Sequence, residues 1–117
     1  NCSIAPRDAG QRIASVADNR QSILGQLGTL QTPTAEADET VTLLQRALQQ
    51  SIEADRHYRD AFLAVPRPAG CPLPRNSNFD LAAQSDAQAT AAKRSFVAAF
   101  DPLAERFDRR VWSANEF

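Results

Sequence analysis

Residues 35–65 read AEADETVTLLQRALQQSIEADRHYRDAFLAV. Val41, Leu44, Leu48, Tyr58, Phe62 and Val65 recur in alternating steps of three and four, and Ser51 and Asp55 complete the same row. That period belongs to a long helix with one apolar seam and a polar notch. Such a seam requires other helices to cover it.

On the N-terminal side, Gln31-Thr32-Pro33-Thr34 is a connection, with Thr32 suited to cap and Pro33 to the first helical position. Glu36, Asp38 and Glu39 place negative charge at the positive end of the helix dipole. Further upstream, Asp8 and Gln11 have capping-box spacing. Ile13, Val16, Ala17, Ile23, Leu24, Leu27 and Leu30 then predict a first helix over 9–30. Its seam is interrupted at Arg20. Gly25 and Gly28 each cost a helix about 1 kcal/mol relative to Ala, and so suggest either a close backbone approach or fraying.

On the C-terminal side, Pro66 ends the second helix, and residues 66–78 hold four of the seven prolines, which excludes regular structure. Ser77 and Asp80 open a third helix carrying Leu81, Ala82, Ser85, Ala89, Ala92, Phe96, Ala99 and Phe100 on its inner face. Asp101-Pro102 reads as the cap and first residue of a short fourth helix with Leu103 and Phe107, or equally as a kink in one long helix. Ser113 and Glu116 form another capping-box pair. The resulting expectation for 1–117 is a single all-α domain. It is an up-and-down bundle of three long helices plus one short C-terminal helix, with the Pro-rich loop tied to the N-terminus by a disulfide.

Hydrophobic residues make up 43% and charged residues 23% of the 117 residues, a globular balance. No apolar run approaches the roughly 18 residues of a spanning helix. The formal net charge of -1 argues against nucleic acid or an anionic membrane bound by bulk electrostatics. Twelve of the thirteen basic residues are Arg, Lys93 being the exception, and Met is absent; this reads as codon bias before function. The two cysteines, Cys2 and Cys71, fit neither a zinc site nor a CxxC motif and lie outside the helices. They read as a disulfide closing a loop of about 70 residues, worth about 4 kcal/mol on the chain-entropy model. That bond requires an oxidising compartment, hence a secreted or extracytoplasmic protein. The opening Asn1-Cys2-Ser3 reads as the start of a chain whose leader has been removed.

Residues of opposite polarity on apolar seams are the one chemical feature above background. Antiparallel packing brings Ser51 and Asp55 near the level of Thr90 and Lys93, with Arg12 close by. That set is a ligand-binding candidate for a small anion, or a register device in which Asp55 pairs with Lys93, Arg12 or a hydroxyl. No second carboxylate completes an acid and base pair. Glu53, His57 and Asp60 share a face but read as a solvated stripe and not a metal site. Arg106, Arg109 and Arg110 with Trp112 read as a cationic helix end more readily than as a polymer contact. No catalytic residue, metal site or cofactor motif is predicted.

Ser51-x3-Asp55-x2-Tyr58, Cys71-Pro72, Ser85-x4-Thr90-x2-Lys93-x2-Phe96, Phe100-Asp101-Pro102-Leu103-Ala104 and Trp112 together resemble an uncharacterised helical domain of secreted or envelope-attached actinobacterial proteins. The resemblance runs from about Ile13 onwards. It implies extracytoplasmic placement and carries no activity, cofactor or catalytic residue. The functional expectation is a non-enzymatic interaction or structural module with a protein or cell-envelope partner. The alternatives are a bundle that binds a small anionic ligand and, more remotely, a small all-helical secreted enzyme.

Overall fold

The computed structural model describes residues 3–66 and 70–117. It contains α1 (Pro6–Leu27), α2 (Ala35–Leu63) and α3 (Ser77–Arg106), with no strand among the described residues. The pairing of Cys2 with Cys71 falls on Cys2, which lies outside them.

Local chemistry accounts for the helix ends, with adjustments to the expected boundaries. Pro6 takes the first turn of α1, so the helix starts before Ala9. Its N-cap is Ala5 with no side-chain cap bond, and Asp8 serves as first-turn negative charge and not as a cap. Gly28 ends α1, which leaves Leu30 57% exposed beyond it. Thr34, not Thr32, caps α2, its Oγ1 accepting the Ala37 N–H at 3.1 Å. The Thr32 hydroxyl donates instead to Asp38 Oδ1 at 3.1 Å. Asn76, not Ser77, caps α3: its Oδ1 accepts the Asn78 N–H at 3.1 Å, and its Nδ2 donates to the Ala61 carbonyl at 2.9 Å. That second bond ties the entry of α3 to the end of α2.

The short fourth helix does not exist as a separate element, because α3 runs through Pro102 to Arg106. Proline at an interior position removes one backbone donor but keeps a helical φ, so a helix held by packing on both sides of it can continue. Asp101 does not cap; its Oδ1 accepts the Trp112 N–H at 3.1 Å. The chain after α3 therefore folds back along the helix. Phe117 reaches Phe96, with ring centroids 5.5 Å apart and nearly perpendicular, while Phe96 stacks on Phe100 at 5.2 Å. Ser113 and Glu116 make only half of a capping box: the Ser113 N–H donates to Glu116 Oε2 at 2.7 Å, but the Glu116 N–H donates to the Ser113 carbonyl at 3.1 Å and not to its hydroxyl, so the pair closes a turn and not a helix.

α2 is the central helix, with α1 on one flank and α3 on the other, and the α1 and α3 backbones do not approach each other. The molecule is elongated, 54 × 23 × 21 Å, with a radius of gyration of 16.8 Å; a compact domain of this length has about 13 Å. The contacts follow rows of small residues. Thr40, Ala47, Ala54 and Ala61 fall seven apart on α2 and are all buried, as are Ala82, Ser85, Ala89 and Ala92 on α3. Leu43 and Gln50, one turn either side of Ala47, line a cleft with Ala92 and Ser95, which places this row against α3. On α1 the buried residues are Gly10 and Ala17. A Cβ at Gly10 would meet Leu63 at 3.2 Å and the Arg59 carbonyl at 3.3 Å. Small residues let helix axes come close. The larger seam of α2 is in consequence only partly covered: Leu48, Ser51 and Val65 are buried, whereas Val41, Leu44, Asp55, Tyr58 and Phe62 are half-buried.

Candidate functional site

Two of the three polar interruptions in the apolar seams, Arg20 and Asp55, belong to one interaction. Arg20 Nη1 on α1 donates to Asp55 Oδ2 on α2 at 2.5 Å, with side chains 25% and 15% exposed. At the next residue of each helix, Arg56 Nη2 donates to Gln21 Oε1 at 3.4 Å. Both contacts link residues 35 apart, so they fix the register of α1 on α2.

Lys93 of α3 faces the same groove. Its ammonium donates to the Phe117 carbonyl and sits 5.4 Å from the centre of the Phe117 ring. Burial, and then the like charge of Arg20, hold the Lys93 amine below the usual lysine range, while Asp86 and Asp55 pull it back up. The phenol of Tyr58, one turn beyond Asp55, is pushed above its ordinary 10.0, first by burial and then by the negative charge of Asp86. Ser51 is 3% exposed, and its Oγ finds no hydrogen-bond partner. Thr90 is half-buried on α3. Arg20, Asp55, Tyr58 and Lys93 thus make a polar layer coupled by charge across the three helices, with Ser51 one turn before Asp55 and the exposed Asp86 acting from the surface of α3.

Of the residues singled out from the sequence, Asp55 and Lys93 lie in this layer, and Ser51 stands one turn before Asp55. Arg12 does not: it is exposed and lies eight residues from Arg20, about 12 Å along the helix. The antiparallel register that sets Gly10 beside Leu63 leaves Arg12 near the far end of α2. Arg20 takes the role expected of Arg12. Its signal was present as the gap in the helix 1 seam, but nothing local pairs that gap with a carboxylate on another helix.

The remaining polar sets are spent on the fold. His57 Nε2 lies 3.8 Å from Glu53, and Arg59 Nε donates to Asp60 at 2.8 Å. Among the described residues no three His, Cys, Asp or Glu side chains converge on a metal position. His57 is half-covered and not fully solvated, because it shares a cleft with Leu24 of α1. Arg106 reaches Glu36 at 3.3 Å, and Arg110 pairs with Glu116 while its guanidinium lies 4.3 Å from the Trp112 ring. Two hydrogen bonds from Ser113, through its backbone N–H and its hydroxyl, hold the Glu116 carboxyl below its ordinary 4.5.

Chemically, the polar layer is closer to neutralised than poised. Asp55 is committed to Arg20 and the Lys93 ammonium to a backbone carbonyl, which leaves Ser51 as the one buried group with unused hydrogen-bonding capacity in that seam. The chain matches no protein-family model, no curated protein and no solved structure.

Proposed function

We propose that this protein is a non-enzymatic helical interaction or structural module of the extracytoplasmic cell envelope, of the kind the resemblance to secreted and envelope-attached actinobacterial domains implies. One observation carries the reading. α1 buries its small residues on α2 and leaves Val16 and Ile23, seven residues apart, 45% and 40% exposed, with Leu30 57% exposed just beyond its C-terminal end. An apolar row along one helix edge, beside a polar layer already satisfied within the chain, suits a surface that docks more than a site that reacts. The oxidising compartment rests on the expected bridge between the two cysteines of the sequence. If Cys2 and Cys71 are bridged, reduction adds the mass of two hydrogen atoms, and an unchanged mass would remove this placement. The docking reading is tested by placing a photo-crosslinking residue at Ile23, with Gln84 on the far helix as control. Discrete adducts at Ile23 that disappear in Val16→Glu support the reading. Equal labelling from both positions would remove it.

A second reading, binding of a small anion, is favoured by the unpartnered Ser51 Oγ, one turn before Asp55 on α2, and by Arg20 and Lys93, whose charges act on each other. An anion that displaced the Phe117 carbonyl from Lys93 would raise the melting temperature in proportion to its concentration. The rise would be lost in Lys93→Ala. A flat thermal-shift response to small carboxylates and phosphates leaves the layer a register device.

A further inference from the structure

Where the first turn of α2 meets the last turns of α3, Pro33, Ala37, Phe100, Leu103, Ala104 and Phe107 line a cavity of about 280 Å³ whose walls are almost entirely carbon. The volume lies just under the ~300–1,000 Å³ of ordinary small-molecule sites, so it suits a slender ligand. Its rim carries Thr34, Glu36, Arg106 and Arg109, polar groups with a net positive charge. Arg106 is held only by an exposed 3.3 Å contact with Glu36, and Arg109 has no ion-pair partner among the described residues. The Thr34 hydroxyl takes the Ala37 N–H, and the Asp38 N–H goes to the Thr34 carbonyl, which leaves the Ala35 and Glu36 N–H groups without acceptors at the positive end of the α2 dipole.

The end of α3 presents this rim in a particular way. The Arg109 N–H donates to the Ala104 carbonyl at 2.6 Å and the Asp108 N–H to the Glu105 carbonyl at 3.1 Å, the double bond pattern of a Schellman turn. That turn needs a left-handed residue after the cap, and Asp108 supplies it at φ 53 where glycine is usual. No other non-glycine described residue has a positive φ. The turn holds Phe107, 67% exposed and the most exposed large apolar side chain described, at the mouth of the cavity beside Arg109.

We propose that this cavity binds a medium-chain aliphatic carboxylate, its chain among Ala37, Phe100 and Leu103 and its carboxylate on Arg109 and the free α2 N–H groups. The apolar walls select the chain and the cations select the head. The inference is independent of the docking role of α1.

Titration of the full chain with butanoate, hexanoate and octanoate, followed through backbone amide shifts in NMR, tests it. Shifts should concentrate at 33–37 and 100–109, and affinity should rise about two- to fourfold per added methylene until the cavity is full. Octanamide should bind about tenfold more weakly than octanoate, and Arg109→Gln should erase that difference. Ala37→Leu should abolish binding by filling the cavity, with helicity retained. Binding that ignores chain length, an amide as good as the acid, or unchanged affinity in Ala37→Leu would overturn the proposal. So would binding to anionic phosphatidylglycerol vesicles with none to monomeric octanoate, because that assigns the same residues to a membrane surface.

Discussion

The two flanks of α2 are held by different means. Against α3, Ala47, Ala54 and Ala61 are 0–3% exposed and meet another row of small residues in which Ala82 and Ala89 are at most 1% exposed. Against α1, Gly10 and Ala17 are buried on the α1 side, whereas Ile13, Leu24 and Leu27 are only half-buried and Val16 and Ile23 are exposed. The α3 flank gains stability by excluding volume, since each alanine lets the two backbones come closer. The α1 flank depends on one ion pair and a few partial contacts. A thin core follows: among the described residues no large side chain is fully buried.

This contrast sets the order of expected effects. Ala61→Leu forces a larger side chain into a contact with no free volume and should cost about 3 kcal/mol, the upper part of the overpacking range, in urea unfolding. Val16→Ser on the open edge of α1 should cost less than about 0.5 kcal/mol. Equal losses would mean that both flanks are packed alike.

The ion pair comes next. Its side chains are 25% and 15% exposed, between the surface and buried limits. Asp55→Ala and Arg20→Ala should therefore each cost about 2 kcal/mol, with a coupling of about 1 kcal/mol in the double-mutant cycle. Additive losses would show that Asp55 has another partner in solution.

Two glycines of α1 separate contact from propensity. Nothing lies within 4 Å of a Cβ placed on Gly25, whereas one on Gly10 meets the Arg59 carbonyl at 3.3 Å. Gly25→Ala should stabilise by up to about 1 kcal/mol, and Gly10→Ala should forfeit most of that gain. An equal gain at both sites would mean that α1 moves away from α2 at little cost.

The smallest effect is a titration. Tyr58 is the sole tyrosine, so the near-ultraviolet phenolate band reports it alone. Its native midpoint should lie above the ordinary 10.0, fall partway in Asp86→Asn, and return to the ordinary value on denaturation. Because the folded phenol binds its proton more tightly than the unfolded one, this group contributes stability that is present below the unfolded value. That contribution is lost as pH rises through the folded value. A native midpoint at 10.0 would show that the layer around Tyr58 is open to water.

The helices and breaks were legible because their causes are local. The period of Val41 to Val65, the stop at Pro66 and the first-turn acids of α2 all lie within a few residues of what they control. Caps were legible to within three residues, Asn76 for Ser77, Thr34 for Thr32 and Ala5 for Asp8, the error arising where several neighbouring polar groups or an early proline could each start the helix. Pro102 was the ambiguous signal. Whether a proline ends a helix depends on what packs on either side, and here Phe96, Phe100 and the returning chain carry α3 through it.

The sequence was enough to establish an all-helical chain, the order and approximate extent of its three long helices, and polar interruptions at Arg20, Ser51 and Asp55. Helical period and backbone chemistry are properties of neighbouring residues. Only the tertiary structure could show that Arg20 and not Arg12 meets Asp55, that rows of alanine and not the leucine seam form the closest contact, and that Phe107 and Arg109 share the mouth of a cavity with α2. Each of those depends on register and interaxial distance. Both are set by the volume missing between helices, a quantity that no single helix carries.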